Sequence, residues 1–303
     1  MILPPQVHVF VRDWLSSNNI LLKSRDGHVL IDSGYVRHAP LTLDLLRTRS
    51  GIEDEPLALL VNTHCHSDHM GGNAAIARRY ACPIAIPEGE APLIEAWDEE
   101  ALLLAYAGQS AERFDIADTL RAGESRVWGD LEWQAIAAPG HDMGALVFFN
   151  PEHGILISGD ALWQRGFGFV MPREMDPAAL PAARATLDAI AILPVRAVVP
   201  GHGEPFDDIG PSLEHAYARL ALYEQDPERL ARHVIKVIVA FALLDRQRLA
   251  LADLRDYVER TGIVRDFNAK LLRLSAPALA DWLSRELVRA GAARLIDGAL
   301  RPA

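Results

Sequence analysis

A short segment with three histidines and an aspartate constrains this chain more than any other feature. It reads Thr-His-Cys-His-Ser-Asp-His-Met-Gly-Gly over residues 63–72, directly after an apolar run that predicts a strand. Three imidazoles and one carboxylate within six residues of a loop can converge on a divalent metal such as zinc. We therefore expect His64, His66, Asp68 and His69 to be metal ligands. The alternative is a histidine-rich surface loop.

Three further ligand-type residues follow later apolar runs, each beside a glycine. His141 lies in Ala-Pro-Gly-His-Asp, Asp160 in Ser-Gly-Asp-Ala and His202 in Pro-Gly-His-Gly. Glycine lets the chain turn sharply where a strand ends, and loops at strand ends often carry functional side chains. A lone histidine at such a position is more often structural than functional. Together with the first segment, however, these positions predict one shared metal site.

The ordered set His-x-His-x-Asp-His, histidine, aspartate, histidine resembles the metallo-β-lactamase superfamily over about residues 20 to 202. The resemblance implies an α/β fold, the αββα sandwich of that family, and two divalent metal ions. Ligation by both imidazole and carboxylate suits zinc, iron and manganese. We expect zinc, with iron or manganese as alternatives. Each ion would have three ligands of its own and one shared bridge: His64, His66 and His141; Asp68, His69 and His202; and the bridging Asp160.

A pair of metal ions also indicates the chemistry. Two neighbouring cations lower the pKa of a shared water to roughly 7, so a metal-bridging hydroxide is the expected nucleophile. No Gly-x-Ser-x-Gly segment offers a serine instead. Asp68 is the expected catalytic residue, because a carboxylate that ligates the metal can also hold the proton of that water. The resemblance implies that Asp32 orients a ligand histidine, with a simple turn residue as the alternative.

Neither cysteine is expected to bind metal. Cys65 lies between two residues that must both face the site, so its own side chain should point away and be structural, although a thiolate ligand is the alternative. Cys82 precedes a predicted strand and should lie in the core. Tyr35 is left undecided as a residue of the site opening. Three aromatic residues are candidates either for an apolar substrate pocket or for the core: Trp163, Phe167 and Phe169.

The pattern of apolar residues predicts two units, a metallo-β-lactamase-fold catalytic domain over 1–208 and a C-terminal module over 209–303. Strands alternate with helices in the first part, with a tight hairpin turn at Asp26-Gly27 and a helical stretch at 87–120 that covers the site. The second part has helical spacing in segments 213–224, 229–244, 249–260 and 276–290, followed by a short hairpin. Helices and a terminal hairpin predict a winged-helix-like module.

The charge distribution disfavours a nucleic-acid partner. The formal net charge is −11, and residues 1–210 hold 15 Lys and Arg against 29 Asp and Glu, while residues 211–303 hold 15 against 12. An acidic body repels phosphates, although a local basic cleft is compatible with the same total. The chain shows neither a secretory signal nor an apolar run long enough for a bilayer, so we expect a cytoplasmic protein without a membrane partner. Its oligomeric state is left open.

We expect a dinuclear-metal hydrolase that acts on a small ester, thioester or lactone. The histidine-rich segment and Pro139-Gly140-His141 resemble those of glyoxalase II and acyl-homoserine lactonases. The alternative is a phosphodiesterase or ribonuclease acting on single-stranded RNA, because the tail resembles the C-terminal module of the β-lactamase-like-2 group. A third hypothesis is a non-hydrolytic role: metal-bound oxidoreduction is disfavoured because a flavodoxin partner domain is absent, and an inert binding protein because all seven ligand positions are filled. Whether the C-terminal module gates the site or binds a partner is left open.

Overall fold

Two β-sheets form the centre of the molecule in the computed structural model, which describes residues 3–303. The first sheet has six strands that follow chain order, antiparallel from β1 to β3 and parallel from β3 to β6. A parallel neighbour requires a crossover connection, and helices supply it here. The strands are β1 (Val7–Phe10), β2 (Asn19–Leu22), β3 (His28–Ile31), β4 (Leu57–Val61), β5 (Ile84–Pro87) and β6 (Asp118–Leu120).

The second sheet has five strands in the order β11-β10-β9-β8-β7. Its strands pair antiparallel, except that β10 and β11 are parallel. The strands are β7 (Ser125–Trp128), β8 (Leu131–Ala137), β9 (Leu146–Asn150), β10 (Ile155–Gly159) and β11 (Ala197–Pro200).

Alternating side chains explain why the two sheets stack with helices outside them. In β2, Ile20 and Leu22 belong to the core between the sheets, while Leu21 packs in the cluster with the helices of the first sheet. In β9, Phe148 faces the same central core, and its neighbour Phe149 packs toward the opposite helices. Because successive strand residues point to opposite faces, apolar residues at every position bury both faces of each sheet. The result is the predicted αββα sandwich.

Helices cover both outer faces. The first sheet is packed against short helices, and α2 supplies part of the histidine-rich loop. Their bounds are α1 (Ala39–Leu46), α2 (Ser67–Met70), α3 (Asn73–Tyr80), α4 (Ala91–Ala96) and α5 (Leu104–Ala107). The second sheet is covered by α6 (Ala179–Ala191), α7 (Ile209–Gln225) and α8 (Pro227–Arg246).

The C-terminal region is mainly helical, as predicted, and ends in a small sheet. Asp226 caps α8 by accepting a hydrogen bond from the N–H of Arg229 at 2.9 Å, and Pro227 occupies the first turn, so the chain breaks sharply between α7 and α8. The remaining elements are α9 (Leu251–Arg260), α10 (Gly262–Phe267), α11 (Ala276–Arg289), β12 (Leu249–Ala250), β13 (Ala293–Ile296) and β14 (Ala299–Pro302).

One apolar cluster runs from the second sheet into the C-terminal helices. It contains Leu156 and Val198 of the sheet together with Leu220 and Ile238 of α7 and α8. The predicted boundary falls where α7 begins, at Ile209, and the division into two units stays a prediction. Within residues 3–303, no helix combines the length and the apolarity that a bilayer span requires.

Two local predictions were wrong. The expected helical stretch at 87–120 contains only two short α-helices and a single 3-10 turn at Glu88–Glu90. Trp97, Leu103 and Gly108 take left-handed backbone conformations that flank these α-helices and keep them short. The strands β2 and β3 pair as predicted, but the last pair is Leu22 with Val29, so a longer loop replaces the tight turn. Alanine and leucine content alone therefore overestimated helix in the first stretch.

Candidate metal centre

The loop after β4 presents its histidines from two kinds of backbone. His64 and His66 lie in the segment before α2, and His66, at the start of that helix, is extended with ψ of 155°. Asp68 and His69 lie within the first turn of α2, next to each other in sequence. The change from extended chain to helix inside the motif turns its four ligand-type side chains toward one point.

The three later residues reach the same point from the ends of the second sheet. His141 follows β8, Asp160 follows β10 and His202 follows β11. At Gly201, an added Cβ would lie 2.9 Å from Cε1 of His69, so no other residue fits between the strand end and the cluster. The structure thus brings all seven predicted side chains together, in three overlapping groups whose ligand atoms lie within 4.8 Å: His64, His66 and His141; His64, His69 and Asp160; Asp68, His69 and His202.

Asp160 lies between the two outer groups. Its Oδ1 is 3.3 Å from Nε2 of His69, and its Oδ2 is 3.5 Å from Nε2 of His141. Its two oxygens therefore face histidines from different groups, the position that a bridging carboxylate requires.

Two further contacts link the members of the outer groups. Nδ1 of His66 lies 2.8 Å from Nε2 of His141, and Nε2 of His202 lies 3.1 Å from Oδ2 of Asp68. Each of these contacts joins residues from opposite halves of the sandwich.

The chemistry of these donors fits a divalent metal. Nε2 of His64 and Nε2 of His69 are buried and have no hydrogen-bond partner among residues 3–303. Burial holds the pKa of His64 well below its usual range, and burial and His141 lower the pKa of His66 to about 4. Both imidazoles are therefore neutral at pH 7, as metal ligation requires. For the neutral ring of His64, a buried nitrogen lone pair without a partner is costly unless a cation satisfies it.

Asp32 fixes the orientation of one of these rings. It is buried at the end of β3, and its Oδ2 lies 2.8 Å from Nδ1 of His69. The same carboxylate accepts hydrogen bonds from the backbone N–H and the hydroxyl of Thr63, at 2.9 and 2.8 Å. Burial lowers the pKa of His69, but the nearby carboxylates of Asp32, Asp160 and Asp68 outweigh it and hold the pKa well above its usual value. The contact is the one that the resemblance implies.

A cavity of about 310 Å³ opens above the cluster. Its floor includes His66, Asp68, His141 and Asp160. Its walls are mostly apolar and come from the loop after β10 and from the C-terminal helices, namely Trp163, Phe167, Phe169, Val237, Ile238 and Phe241. The three aromatic residues left open by the sequence therefore all line the cavity, and Phe167 also packs in the core.

The sequence of this chain matches a known family over most of its sandwich. The sequence profile described as the metallo-beta-lactamase superfamily covers residues 12–202, which include all seven clustered side chains. The chain belongs to the metallo-beta-lactamase superfamily. Its members include metallo-hydrolases, and the fold binds divalent metals.

Two relatives within this superfamily illustrate the range of the match. The probable metallo-hydrolase MJ0888 of Methanocaldococcus jannaschii is 28% identical over 206 residues, which cover 68% of this chain and 94% of that protein. A hydroxyacylglutathione hydrolase of Bdellovibrio bacteriovorus is 27% identical over 113 residues, which cover 37% of this chain and 37% of the enzyme. The chain thus spans little more than a third of the length of that enzyme.

Two solved structures of the superfamily share the fold. TTHA1623, solved in a di-iron-bound form, has a TM-score of 0.55 and 26% identity, and the match covers 69% of this chain and 98% of that one. The metallo-beta-lactamase family protein TTHA1429 from Thermus thermophilus has a TM-score of 0.57 and 21% identity, and the match covers 99% of both chains. The second likeness extends the shared fold through the C-terminal helices.

Several residues beside this superfamily site were missed in the sequence. Trp14 stacks on His202 with ring centroids 4.5 Å apart, and it contacts Trp163, which the sequence did single out and which donates a hydrogen bond from Nε1 to Oδ1 of Asp160 at 3.2 Å. Asp142 lies 3.5 Å from Nε2 of His66, and the buried Glu90 packs against Asp142. The only sequence feature that pointed to Asp142 was its position directly after His141. No sequence feature pointed to Trp14 or Glu90.

Two residues left open by the sequence lie away from the cavity. Cys65 is fully buried and packs among the side chains under the first sheet, as a structural residue would. Tyr35 is also buried, and its hydroxyl lies 3.3 Å from Oγ of Ser110, so it does not line the opening. Cys82 lies in the same apolar cluster as Cys65.

Proposed function

We propose that this chain hydrolyses small esters, thioesters or lactones with two divalent metal ions held by the seven clustered side chains. The observation that carries the proposal is the donor cluster on the floor of a small, apolar-walled cavity. A cavity of about 310 Å³ fits a small molecule and is at the lower end for ligand sites. The hydroxyacylglutathione hydrolase among the relatives, a thioesterase by its name, supports an acyl substrate.

The proposal assigns a role to each part of the cluster. A bound divalent metal lowers the pKa of water to about 7 and polarises a carbonyl oxygen. One ion would be held by His64, His66 and His141 and the other by Asp68, His69 and His202, with Asp160 between them; zinc is the proposed metal, and iron is present in the TTHA1623 structure.

Asp68 is the proposed catalytic residue. Its Oδ2 lies 3.1 Å from Nε2 of His202, and its side chain borders the cavity. The histidines around it outweigh its burial and lower its pKa, so the carboxylate is ionised at neutral pH and can accept a proton. It would take the proton of the attacking water and return it to the leaving group.

The structure offers little support for an RNA substrate. Of the residues that line the cavity, only Arg165 and Arg219 are permanent cations, whereas single-stranded nucleic acid requires a positively charged groove along its backbone. We therefore propose a small-molecule partner in the cytoplasm, and neither nucleic acid nor a membrane.

A substrate panel with ligand variants tests the proposal. The zinc-, iron- and manganese-loaded protein is offered a neutral thioester, an ester, a lactone and a single-stranded RNA at two salt concentrations. We expect turnover of an acyl substrate, loss of it in His66→Ala and Asp160→Ala, and retention of it in Cys65→Ser. Cleavage of RNA alone, with steep inhibition by salt, would overturn the proposal.

A further inference from the structure

The cavity above the metal centre is lined by two kinds of charged group. The carboxylates that line it, Asp68 and Asp160, belong to the metal cluster. Its two arginines come from elsewhere: Arg165 lies in the loop after β10, and Arg219 lies on α7 in the C-terminal region. A ligand that fills the cavity would therefore contact both the metal centre and the guanidinium groups.

The Arg219 guanidinium packs against the backbone of the loop at Gly166. An added Cβ on Gly166 would lie 2.6 Å from Cζ of Arg219, and Gly166 has φ of +126°. Because Gly166 has no side chain, the guanidinium can pack directly against the backbone at this position. A guanidinium that is held in this way loses less conformational entropy when it binds an anion.

Neither arginine of the cavity has an ion-pair partner within the described part of the chain, residues 3–303. Another arginine close to α7 shows the contrast, because Arg184 forms a fork with both carboxylate oxygens of Glu224, at 3.2 and 2.8 Å. The planar guanidinium binds carboxylates through two parallel hydrogen bonds. Arg219 is therefore a positioned donor without an anion.

The same loop limits the distance from Arg219 to the metal centre. An added Cβ on Gly168 would lie 2.6 Å from Nδ1 of His141, and Gly168 is two residues beyond Gly166, against which Arg219 packs. Two residues of extended chain span at most about 7 Å, so the guanidinium lies within roughly 15 Å of Nδ1 of His141. A short acyl chain is long enough to contact both.

The apolar lining of the cavity suits that chain. Aromatic and aliphatic side chains, including Trp163, Phe169 and Ile238, line it. His233 is the other basic residue on the wall, and burial, together with Arg219 and Lys236, lowers its pKa to about 4. At neutral pH His233 is therefore uncharged, and Arg165 and Arg219 supply the positive charge of the cavity wall.

We propose that the substrate is an ester or thioester whose apolar acyl chain ends in a carboxylate, and that Arg219 binds this carboxylate while the scissile carbonyl lies over the metal centre. Arg165, at the exposed rim, adds positive charge. This inference rests on the proposed function and names its substrate class. It makes Arg219 a specificity residue that touches the substrate far from the reacting atoms.

A matched pair of substrates tests the inference. One thioester has an acyl chain that ends in a carboxylate, and the other ends in the neutral primary amide. We expect the KM of the wild-type protein to be about 10- to 100-fold lower for the carboxylate-ended thioester than for the amide-ended one. This factor corresponds to the free energy of one charge-assisted hydrogen bond. In Arg219→Gln the preference should fall to near one, chiefly through KM and not through kcat. Arg219→Lys should retain part of this preference for the carboxylate. Arg184→Gln, a control at the surface, should retain all of it.

A binding measurement keeps the inference separate from the proposed function. Trp14 and Trp163 line the cavity, so quenching of tryptophan fluorescence reports binding of the free dicarboxylic acid product without any turnover. Binding that is lost in Arg219→Gln would support the inference even if no thioester were hydrolysed, a result that would sink only the proposed function. Equal binding by both proteins, equal use of both thioesters, or an Arg219-dependent preference for a phosphate-ended chain over the carboxylate would overturn it.

Discussion

Replacement of Asp32 by asparagine should weaken one metal site without unfolding the protein. Asp32 has φ of +59°, a left-handed conformation that asparagine tolerates better than alanine, so Asp32→Asn changes charge with little added strain. The variant loses the anionic partner of Nδ1 of His69 at 2.8 Å. Removal of such a partner of a metal-binding histidine typically weakens metal binding by about 10- to 100-fold.

The same substitution should also cost stability in the metal-free protein. Asp32 accepts hydrogen bonds from two donors of Thr63 as well as facing His69, and an asparagine presents N–H groups to one of these donors. One unsatisfied buried donor costs about 1–3 kcal/mol.

Competition with a chromophoric chelator measures the affinity, and urea unfolding of the stripped protein measures the stability. Asp44→Asn is the control, because its side chain is 71% exposed. If Asp32→Asn bound both metal ions as tightly as the wild type, the role assigned to Asp32 would be refuted.

Two further predictions concern buried groups near the site. Burial and Asp142 raise the pKa of Glu90 to about 9, so the folded protein keeps a proton that the unfolded chain loses above its usual value. Between about pH 4.5, the usual pKa of this carboxyl, and about pH 9, the unfolding free energy of the metal-free protein should fall with rising pH. The fall should reach up to about 1.4 kcal/mol per pH unit. Urea unfolding at several pH values should show a smaller slope for Glu90→Gln. Neither Cys65 nor Cys82 should react with Ellman's reagent at pH 8 until urea is added, because both are buried and the pKa of Cys82 is raised to about 11.

Each of these predictions has a clear contrary result. An unchanged pH slope in Glu90→Gln would show that Glu90 does not carry the extra proton. Rapid reaction of one thiol in the native protein would show that the packing around that cysteine is looser than the structure indicates.

The individual strands and the cluster have local signals in the sequence, whereas the sandwich was expected from the resemblance to the metallo-β-lactamase superfamily. The strands read as short apolar runs, and β8 was predicted at its observed bounds, Leu131–Ala137. The ligand-type residues stand at strand ends, where a sheet brings distant positions together. Their shared location was therefore predictable from one chain, although each pairwise distance was not.

The residues that shape the cavity had no such signal. Arg219 and Phe241 reach it from helices that begin after the superfamily match has ended at residue 202. Their spacing predicts helices but not the direction in which these pack against the sandwich. Backbone conformation was equally hidden at Trp97 and Leu103, where left-handed residues break a stretch that composition alone predicts to be helical.

Metal content together with turnover tests the central claim most directly. The purified protein is analysed by inductively coupled plasma mass spectrometry before and after treatment with a chelator, alongside Asp160→Ala and the control Cys65→Ser. We predict about two metal ions per chain in the wild type and the control, fewer in Asp160→Ala, and no acyl hydrolysis without metal. Full turnover by the stripped protein, or an undiminished metal content in Asp160→Ala, would contradict the account.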